Sequence, residues 1–153
     1  MVKILVSRCF LGERCKWNGR SNENEEVKKL LDVVEFVPIC PEVDSGLPTP
    51  RIPSEIVSPG KVENEVGLDV TEYFKNGAKI ALKTAKENNI KYALLKNGSP
   101  SCGSTLVYNG KFERVKVEGR GITTKLLQEN GIKVFNEDNI VDLIIDLKKN
   151  RLI

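Results

Sequence analysis

The sequence predicts an α/β fold, a single Rossmann-like three-layer sandwich with a mainly parallel sheet. Short apolar runs alternate along the chain with longer amphipathic segments, as in successive βαβ units. The apolar runs are nearly continuous, which is typical of strands covered on both faces. With 153 residues and 40% hydrophobic side chains the chain can build one proper core, so we assign one domain to residues 1–153.

Four apolar runs are predicted to be strands of this sheet, at residues 3–6, 35–39, 90–95 and 132–135. The segments between and after them predict four helices. The first covers 22–32, with acidic residues in its first turn; the second runs from a Thr71 cap to about Asn88; the third opens at 119–123 and stops at Asn130-Gly131; and the last follows an Asn136 cap. The order of these elements predicts parallel strands joined by helical crossovers.

The helices should bury apolar faces at helical spacing. The residues expected to face inward are Val27, Leu30, Leu31 and Val34 in the first helix, Val70, Tyr73, Phe74, Gly77, Ala78, Ala81 and Ala85 along the second, Ile122, Leu126 and Leu127 in the third, and Ile140, Val141, Ile144 and Leu147 in the last. Small residues in the second helix should permit close packing.

Other segments are predicted to lie outside this alternation. Residues 43–64 are rich in proline and should form a long loop, and residues 66–70 an extended piece. Asn109-Gly110 within 106–112 predicts a two-residue hairpin turn beside the strand ends.

The charge pattern excludes some partners. Lys and Arg number 24 against 21 Asp and Glu, and the signs alternate without a basic block, so nothing favours binding of a nucleic-acid polymer. The apolar run at 2–6 is too short for a signal sequence, and no run approaches the roughly 18 residues of a membrane span. We therefore expect a cytoplasmic protein that does not enter the membrane.

Four cysteines, Cys9, Cys15, Cys40 and Cys102, carry the main chemical signal. In a reducing compartment such residues are candidates for metal binding or catalysis rather than for structural disulfides. The chain has no histidine, which excludes Ser-His and Cys-His catalysis and leaves zinc only thiolate or carboxylate ligands.

Three of the thiols each follow a different predicted strand. Cys9, Cys40 and Cys102 lie shortly after the first, second and third strands, and the carboxyl ends of parallel strands meet at one edge of a sheet. Cys102 sits in a loop of turn-forming and hydroxylated residues, 96–104. We predict one shared thiolate site; three independently buried cysteines, acting as small hydrophobic residues, are the alternative.

The spacing of the thiols favours an iron-sulfur cluster over zinc. Structural zinc usually takes two ligands from a C-x-x-C knuckle, and this chain has none. A 4Fe-4S cluster accepts ligands from distant loops, and three cysteines leave one iron open as a Lewis acid. Cys15 is a fourth thiol that is either a further ligand or, as we favour, part of the pocket wall.

Five motifs together resemble the thiouracil desulfidase family: V-S-x-C-x-L-G at 6–12, C-P-E at 40–42, G-L-P-T-P-R at 46–51, S-P-S-C-G at 99–103 and G-x-G-I-T at 119–123. The resemblance covers nearly the whole chain in the same order. It implies an α/β domain that holds a 4Fe-4S cluster through Cys9, Cys40 and Cys102. It also implies removal of sulfur, without redox chemistry, from thiolated nucleobases such as 2-thiouracil. A soft thione sulfur on the open iron would make its carbon susceptible to water, so we expect water as second substrate and sulfide as product.

Four further residues are predicted to take part in this reaction. Glu42, near an anionic cluster whose like charge favours its protonated form, is the candidate acid and base, with a solvated loop acid as the alternative. Ser101 is the second catalytic candidate, or a hydroxyl that stabilises the cluster. Ser7 and Arg51 are candidates for binding the polar edge of the base, a structural role for Arg51 being equally open. The helix start at 119–123 is a weaker candidate for receiving an anion or a carbonyl oxygen.

Two other functions remain open from the sequence. A non-catalytic iron-sulfur or sulfide carrier would hold and pass on sulfide. A redox-sensing domain would use Cys9 and Cys15 as a reversible switch. Turnover distinguishes the enzyme from the first, and a reversible disulfide would indicate the second. The oligomeric state is not indicated by the sequence.

Overall fold

The structure, a computed structural model, describes residues 1 to 153. The strands are β1 (Lys3–Ser7), β2 (Glu35–Ile39), β3 (Ser54–Ser58), β4 (Lys61–Asn64), β5 (Tyr92–Leu94), β6 (Leu106–Tyr108), β7 (Lys116–Glu118) and β8 (Lys133–Phe135). The α-helices are α1 (Glu25–Lys28), α2 (Pro41–Asp44), α3 (Thr71–Glu87), α4 (Ile122–Glu129) and α5 (Ile140–Lys149), with 3-10 turns at Arg8–Leu11 and Lys29–Asp32. No helix is both long enough and apolar enough to cross a membrane.

A four-stranded parallel sheet forms the centre of the molecule, with strand order β2-β1-β5-β8. The four predicted sheet strands and the α/β class are thus confirmed. The chain leaves β1 toward β2 on one side and later returns to β5 on the other side, so the strand order reverses between β1 and β5. In open α/β sheets this switch point leaves a crevice at the carboxyl ends of the strands.

Each face of the sheet carries its own core because alternate residues of a strand point to opposite sides. Ile4 and Val6 of β1 pack with α5 and the segment around α1, whereas Leu5 packs with α3 and α4. The first cluster is Ile4, Val6, Phe10, Val27, Leu30, Val34, Tyr92, Leu94, Leu143 and Leu147, and the second is Leu5, Ile39, Ala81, Ala85, Ile90, Ala93, Leu95, Cys102, Leu127 and Ile132. These two cores make the three layers.

The inward face of α3 carries small residues, which allow the neighbouring backbone to approach closely. Gly77 lies against α2, and a Cβ placed there would overlap the carbonyl oxygen of Pro41. Farther along, Ala81 and Ala85 are buried against the sheet. Tyr73, predicted to face inward, is instead 44% exposed.

The predicted helix at 22–32 is shorter than expected. It divides into α1, capped by the Asn24 side chain, which accepts a hydrogen bond from Val27 N at 3.1 Å, and a 3-10 turn. The amides of Val33 and Val34 both donate to the carbonyl of Leu30, which tightens the chain before β2 begins. Leu31 is therefore 47% exposed rather than inward-facing.

The prediction of a loop over residues 43–64 is wrong for residues 54–64. Residues 54–64 form an antiparallel hairpin, β3 and β4, with Pro59-Gly60 at the turn, where a proline disrupts no ladder bond. Residues 66–70, predicted to be extended, form no strand, although Asp69 makes an isolated antiparallel bridge to Glu63. Thr71 is not the cap of α3; its hydroxyl accepts from Val62 N at 2.9 Å, and its own amide donates to Asp69 Oδ1.

Two further details differ from the sequence predictions. The hairpin of β6 and β7 exists, but it is joined by residues 109–115 and not by a two-residue Asn109-Gly110 turn, because Asn109 N bonds Val115 O. The cap position of α5 is Asn139 rather than Asn136. On that helix Val141 is 68% exposed, whereas Leu143, which the predicted face omitted, is fully buried.

We predict that Gly77→Ala lowers the free energy of unfolding by about 1–3 kcal/mol, since the added methyl group overlaps the Pro41 carbonyl and forces α3 away from α2. Urea unfolding measures the change. Lys79→Ala, at an exposed position of the same helix, is the control and should stay within about 0.5 kcal/mol of the parent. A stability equal to the parent for Gly77→Ala would contradict the close packing.

Candidate active site

A cavity of about 530 Å³ opens at the carboxyl ends of β1, β2 and β5. Cys9 follows β1, Cys40 follows β2, and Cys102 lies in the loop after β5. All seven residues predicted for the site line this one cavity: Ser7, Cys9, Cys40, Glu42, Arg51, Ser101 and Cys102. The fourth thiol, Cys15, also lines it.

Hydrogen bonds tie the strand ends together beneath the cavity. Ser7 Oγ accepts from Lys96 N at 2.9 Å, which joins the end of β1 to the end of β5. The Arg8 guanidinium donates to Asp44 Oδ1 at 2.7 Å, and Asp44 Oδ2 accepts from Cys40 N at 3.1 Å. The loops that carry Cys9 and Cys40 are thereby held at a fixed distance.

The thiols are buried and influence one another. A hydrogen bond from the Cys15 thiol, with a second from Asn22 Nδ2 at 3.4 Å, lowers the pKa of Cys9 to about 7. The Cys15 thiol also lowers the pKa of Cys40 by hydrogen bonding. The pKa of Cys15 itself is raised, because its hydrogen bonds to Cys40 and Cys9 stabilise the protonated thiol. Burial raises the pKa of Cys102, which is 5% exposed. Cys9 and Cys40 are therefore the sulfurs most readily deprotonated.

Glu42 and Ser101, far apart in the sequence, meet in the wall of the cavity. Ser101 Oγ lies 3.2 Å from Glu42 Oε2, 2.8 Å from Ser99 Oγ and 3.5 Å from Cys102 Sγ. Ser101 is 1% exposed and the Glu42 side chain is 16% exposed. The loop-acid alternative for Glu42 assumed a solvated side chain, which the structure does not show.

Arg51 is almost fully occupied by protein acceptors. Its guanidinium bonds Glu42 Oε1 at 3.4 Å, Cys15 O at 3.0 Å, Pro48 O at 3.3 Å and Thr49 Oγ1 at 3.1 Å, and the side chain is 6% exposed. Of its five N–H groups, these contacts leave one for a ligand. Arg51 thus connects the Cys15 loop to Glu42 in addition to lining the cavity.

The helix start at 119–123 does not line the cavity. Its amides are occupied by the cysteine loop: Gly121 N donates to Gly103 O at 2.7 Å, Ile122 N to Pro100 O at 2.9 Å, and Thr123 N to Ser101 O at 2.9 Å. A Cβ on Gly121 would overlap the Ser101 carbonyl group, so the second glycine of G-x-G permits this contact. With these amides paired to the cysteine loop and the segment outside the cavity lining, the structure does not support the prediction that it receives an anion in this site.

Asn97 organises the cysteine loop and was not predicted. Its buried Oδ1 accepts from the amides of Ser104, Thr105 and Leu106 at 3.2 to 3.3 Å, and its own amide donates to Glu137 Oε1 at 2.7 Å. Asn97 stands in an Asn-Gly pair, which indicates a turn from sequence but not the contacts of its side chain.

The rim of the cavity comes from the two hairpins and the loop after Cys15. It includes Lys16, Trp17, Tyr108, Arg114 and Lys116. Glu55 of β3 is 7% exposed, and its Oε1 accepts from Gly110 N at 2.9 Å and Phe112 N at 3.2 Å. This carboxylate fixes residues 109–115 over β3, so the hairpin predicted beside the site does border it.

A sequence model of the family described as 2-thiouracil desulfurase matches residues 4–139. The chain belongs to the 2-thiouracil desulfurase family. It is 39% identical over 150 residues to YbbK of Bacillus subtilis (strain 168), described as uncharacterized, and the match covers 92% of this chain and 99% of YbbK. Its fold is similar to that of TudS, described as a 4Fe-4S-dependent thiouracil desulfidase, with a TM-score of 0.92 and 44% identity over 97% of this chain and 99% of TudS.

These matches confirm the family that the five motifs indicated, and the likeness to TudS confirms the α/β sandwich. The cofactor named for TudS is the one that the sequence predicts for this chain. The residues of the site fit such a group, because the ligands they offer are soft thiols and Asn22 Nδ2 donates a hydrogen bond to Cys9 Sγ at 3.4 Å. No three potential ligands are gathered closely enough to hold a single metal ion.

We predict that Glu55→Ala lowers the free energy of unfolding by about 1–3 kcal/mol, because two loop amides lose their acceptor. Glu55→Gln retains a side-chain carbonyl and should lose less. Urea unfolding gives the stability, and hydrogen exchange at Gly110 and Phe112 gives the local effect. Exchange that is equally slow in the alanine variant would show that Glu55 does not hold this loop.

Proposed function

We propose that this protein hydrolyses the carbon-sulfur double bond of a small thiolated base such as 2-thiouracil, with water as co-substrate and sulfide as product. The contact between Glu42 and Ser101 carries the proposal. It joins a partly buried carboxyl group to a buried hydroxyl in the wall of the cavity that Cys9, Cys40 and Cys102 line. Membership of the family and the description of TudS support the substrate class.

Three cysteines would hold the 4Fe-4S cluster: Cys9, Cys40 and Cys102. Each follows a separate strand of the sheet, so the ligands rest on the most rigid part of the fold. Cys15 is the remaining thiol, and we assign it to the cavity wall beside Cys9 and Cys40, the two thiols whose pKa it lowers. When bound, the cluster supplies a Lewis acid at the iron that lacks a cysteine, where a soft thione sulfur is a suitable ligand.

Ser7 and Arg51 are proposed to hold the polar edge of the base. Ser7 Oγ accepts from Lys96 N, which leaves its own hydroxyl hydrogen for an acceptor atom of the ring. Arg51 has one remaining N–H for the same purpose. Its main contribution is to fix Glu42, whose Oε1 it contacts.

Glu42 is proposed as the general base and then the general acid. Each of its carboxylate oxygens has one protein donor and retains a lone pair, so it can accept a hydrogen bond and then a proton from water. The water oxygen adds to the ring carbon while Glu42 takes one water proton and gives it to the sulfur. Glu42 then takes the second proton from the added hydroxyl as the C–S bond breaks and the C=O bond forms, and gives it to the departing sulfur. Both water protons leave with the sulfur as H₂S, so no oxidant or reductant is needed.

We predict that alanine at Cys9, Cys40 or Cys102 removes the bound iron and the visible absorption of the cluster, whereas Cys15→Ala retains most of both. A cluster held by three thiolates cannot lose one of them and stay bound tightly. Iron and acid-labile sulfide are counted after anaerobic purification, beside the visible spectrum.

If Cys15→Ala loses the cluster to the same extent, the site has four cysteine ligands and no open iron. A colourless parent protein that holds one zinc would reject the cluster altogether. A reversible disulfide between Cys9 and Cys15 in the parent would favour the redox-sensing alternative.

We predict that Glu42→Gln loads iron normally but turns over 2-thiouracil about 10²- to 10⁴-fold more slowly, the usual loss for a positioned acid or base. The amide keeps the shape of the side chain but cannot accept and return the proton. Parent and variant are compared anaerobically at equal iron content by the loss of thione absorbance.

A sulfide carrier needs no such proton transfer, so this measurement also separates the two functions. Equal rates in parent and variant would remove Glu42 from the mechanism. Absence of turnover in both would favour the carrier.

A further inference from the structure

We propose that Ser99 is a positioning residue that fixes the direction of the Ser101 hydroxyl. The inference rests on the proposed function, in which Ser101 and Glu42 line the reacting centre. Ser99 is half-buried, also lines the cavity and lies 2.8 Å from Ser101, oxygen to oxygen. Distance alone does not say which of the two hydroxyls donates.

The backbone decides the direction of this hydrogen bond. Ser99 Oγ accepts from Ser101 N at 3.1 Å and from Cys102 N at 3.0 Å. A serine hydroxyl has two lone pairs and one hydrogen, so both lone pairs of Ser99 are occupied. Its contact with Ser101 Oγ can only be one in which Ser99 donates.

The hydroxyl of Ser101 must then send its hydrogen elsewhere. Two acceptors are within reach, Glu42 Oε2 at 3.2 Å and Cys102 Sγ at 3.5 Å. The carboxylate is the nearer and the stronger acceptor, and bonds to charged groups exceed neutral ones. The hydrogen bonds therefore run in one direction, from Ser99 to Ser101 to Glu42.

This direction restricts what Ser101 offers to a ligand. With one lone pair taken by Ser99 and its hydrogen directed to Glu42, Ser101 retains a single lone pair for the cavity. It is thus a hydrogen-bond acceptor toward the occupant, suited to a water molecule or a ring N–H and not to a carbonyl or thione. Ser99 cannot pass protons to Glu42, because the amides that fill its lone pairs do not release theirs.

Three substitutions separate the two contributions of Ser99. Ser99→Thr keeps the hydroxyl, both as acceptor for the amides and as donor to Ser101. Ser99→Asn keeps a side-chain oxygen that can accept from amides two and three residues ahead, as asparagine does in turns, but that oxygen carries no hydrogen. Ser99→Ala removes both. Ser104→Ala is the matched control, since Ser104 Oγ bonds Asn136 Nδ2 and does not line the cavity.

The first measurement is a double-mutant cycle on turnover of 2-thiouracil at equal iron content. We expect Ser99→Asn to fold and load iron like the parent, to bind the product uracil with unchanged affinity, and to lower kcat about 3- to 10-fold, the effect of one hydrogen bond. Ser99→Thr and Ser104→Ala should retain the parent rate. In a Ser101→Ala background Ser99→Asn should change kcat no further, because its effect passes through Ser101.

The second measurement is independent of activity. Isotope-edited infrared difference spectra, with the Glu42 carboxylate band identified from Glu42→Gln, should show that band shifted in Ser99→Asn and unshifted in Ser99→Thr. The shift should disappear when Ser101 is alanine. An unshifted band in Ser99→Asn overturns the inference. So does an effect of Ser99→Asn on kcat that is fully additive with that of Ser101→Ala.

The two proposals fail in different ways. A parent protein without turnover rejects the desulfidase function, and the infrared bands still decide the direction of the hydrogen bonds. If the parent turns over 2-thiouracil and Ser99→Asn has the same rate and the same spectrum, only the role of Ser99 is rejected.

Discussion

The first turn of α4 holds the loop that carries Cys102, and the site depends on this contact. Three amides of that turn donate to the carbonyls of Pro100, Ser101 and Gly103, and the Thr124 hydroxyl donates to Cys102 O at 2.8 Å. A loop rich in glycine, proline and serine loses much conformational entropy when it is ordered, and these bonds to a packed helix offset that cost. With the carbonyls directed to α4, the side chains of this loop are left to face the cavity.

The site is built mostly from neutral groups and internally paired charges. Arg51 faces Glu42, Arg8 faces Asp44, and Lys96 pairs with Glu137 at 2.6 Å. The acidity of the thiols is set locally, by the shared proton of Cys15 and by burial. Pairing these three cations with neighbouring carboxylates keeps the side chains in place, which a site for a rigid inorganic group and a small flat base requires.

The elements predicted most accurately are those with strong local signals. Continuous apolar runs identified the four sheet strands, and small residues in α3 marked a closely packed face. The β3-β4 hairpin was missed because its strands are short and polar and are stabilised by contact with α3 through Val62 and Phe74. Likewise, the loop at 109–115 is held by Glu55, a residue more than fifty positions earlier, so its shape has no local sequence signal.

By itself the sequence determined the class of fold, the edge of the sheet at which the thiols meet, and the family, because periodicity and strand order are local properties of the chain. Only the tertiary structure decided how each polar atom is used. The hydrogen bonds of Ser99, Ser101, Glu42 and Arg51 join loops that are distant in sequence, and the direction of each bond depends on which donors and acceptors remain unpaired after the others are satisfied. That count can be made only when the neighbours in space are known.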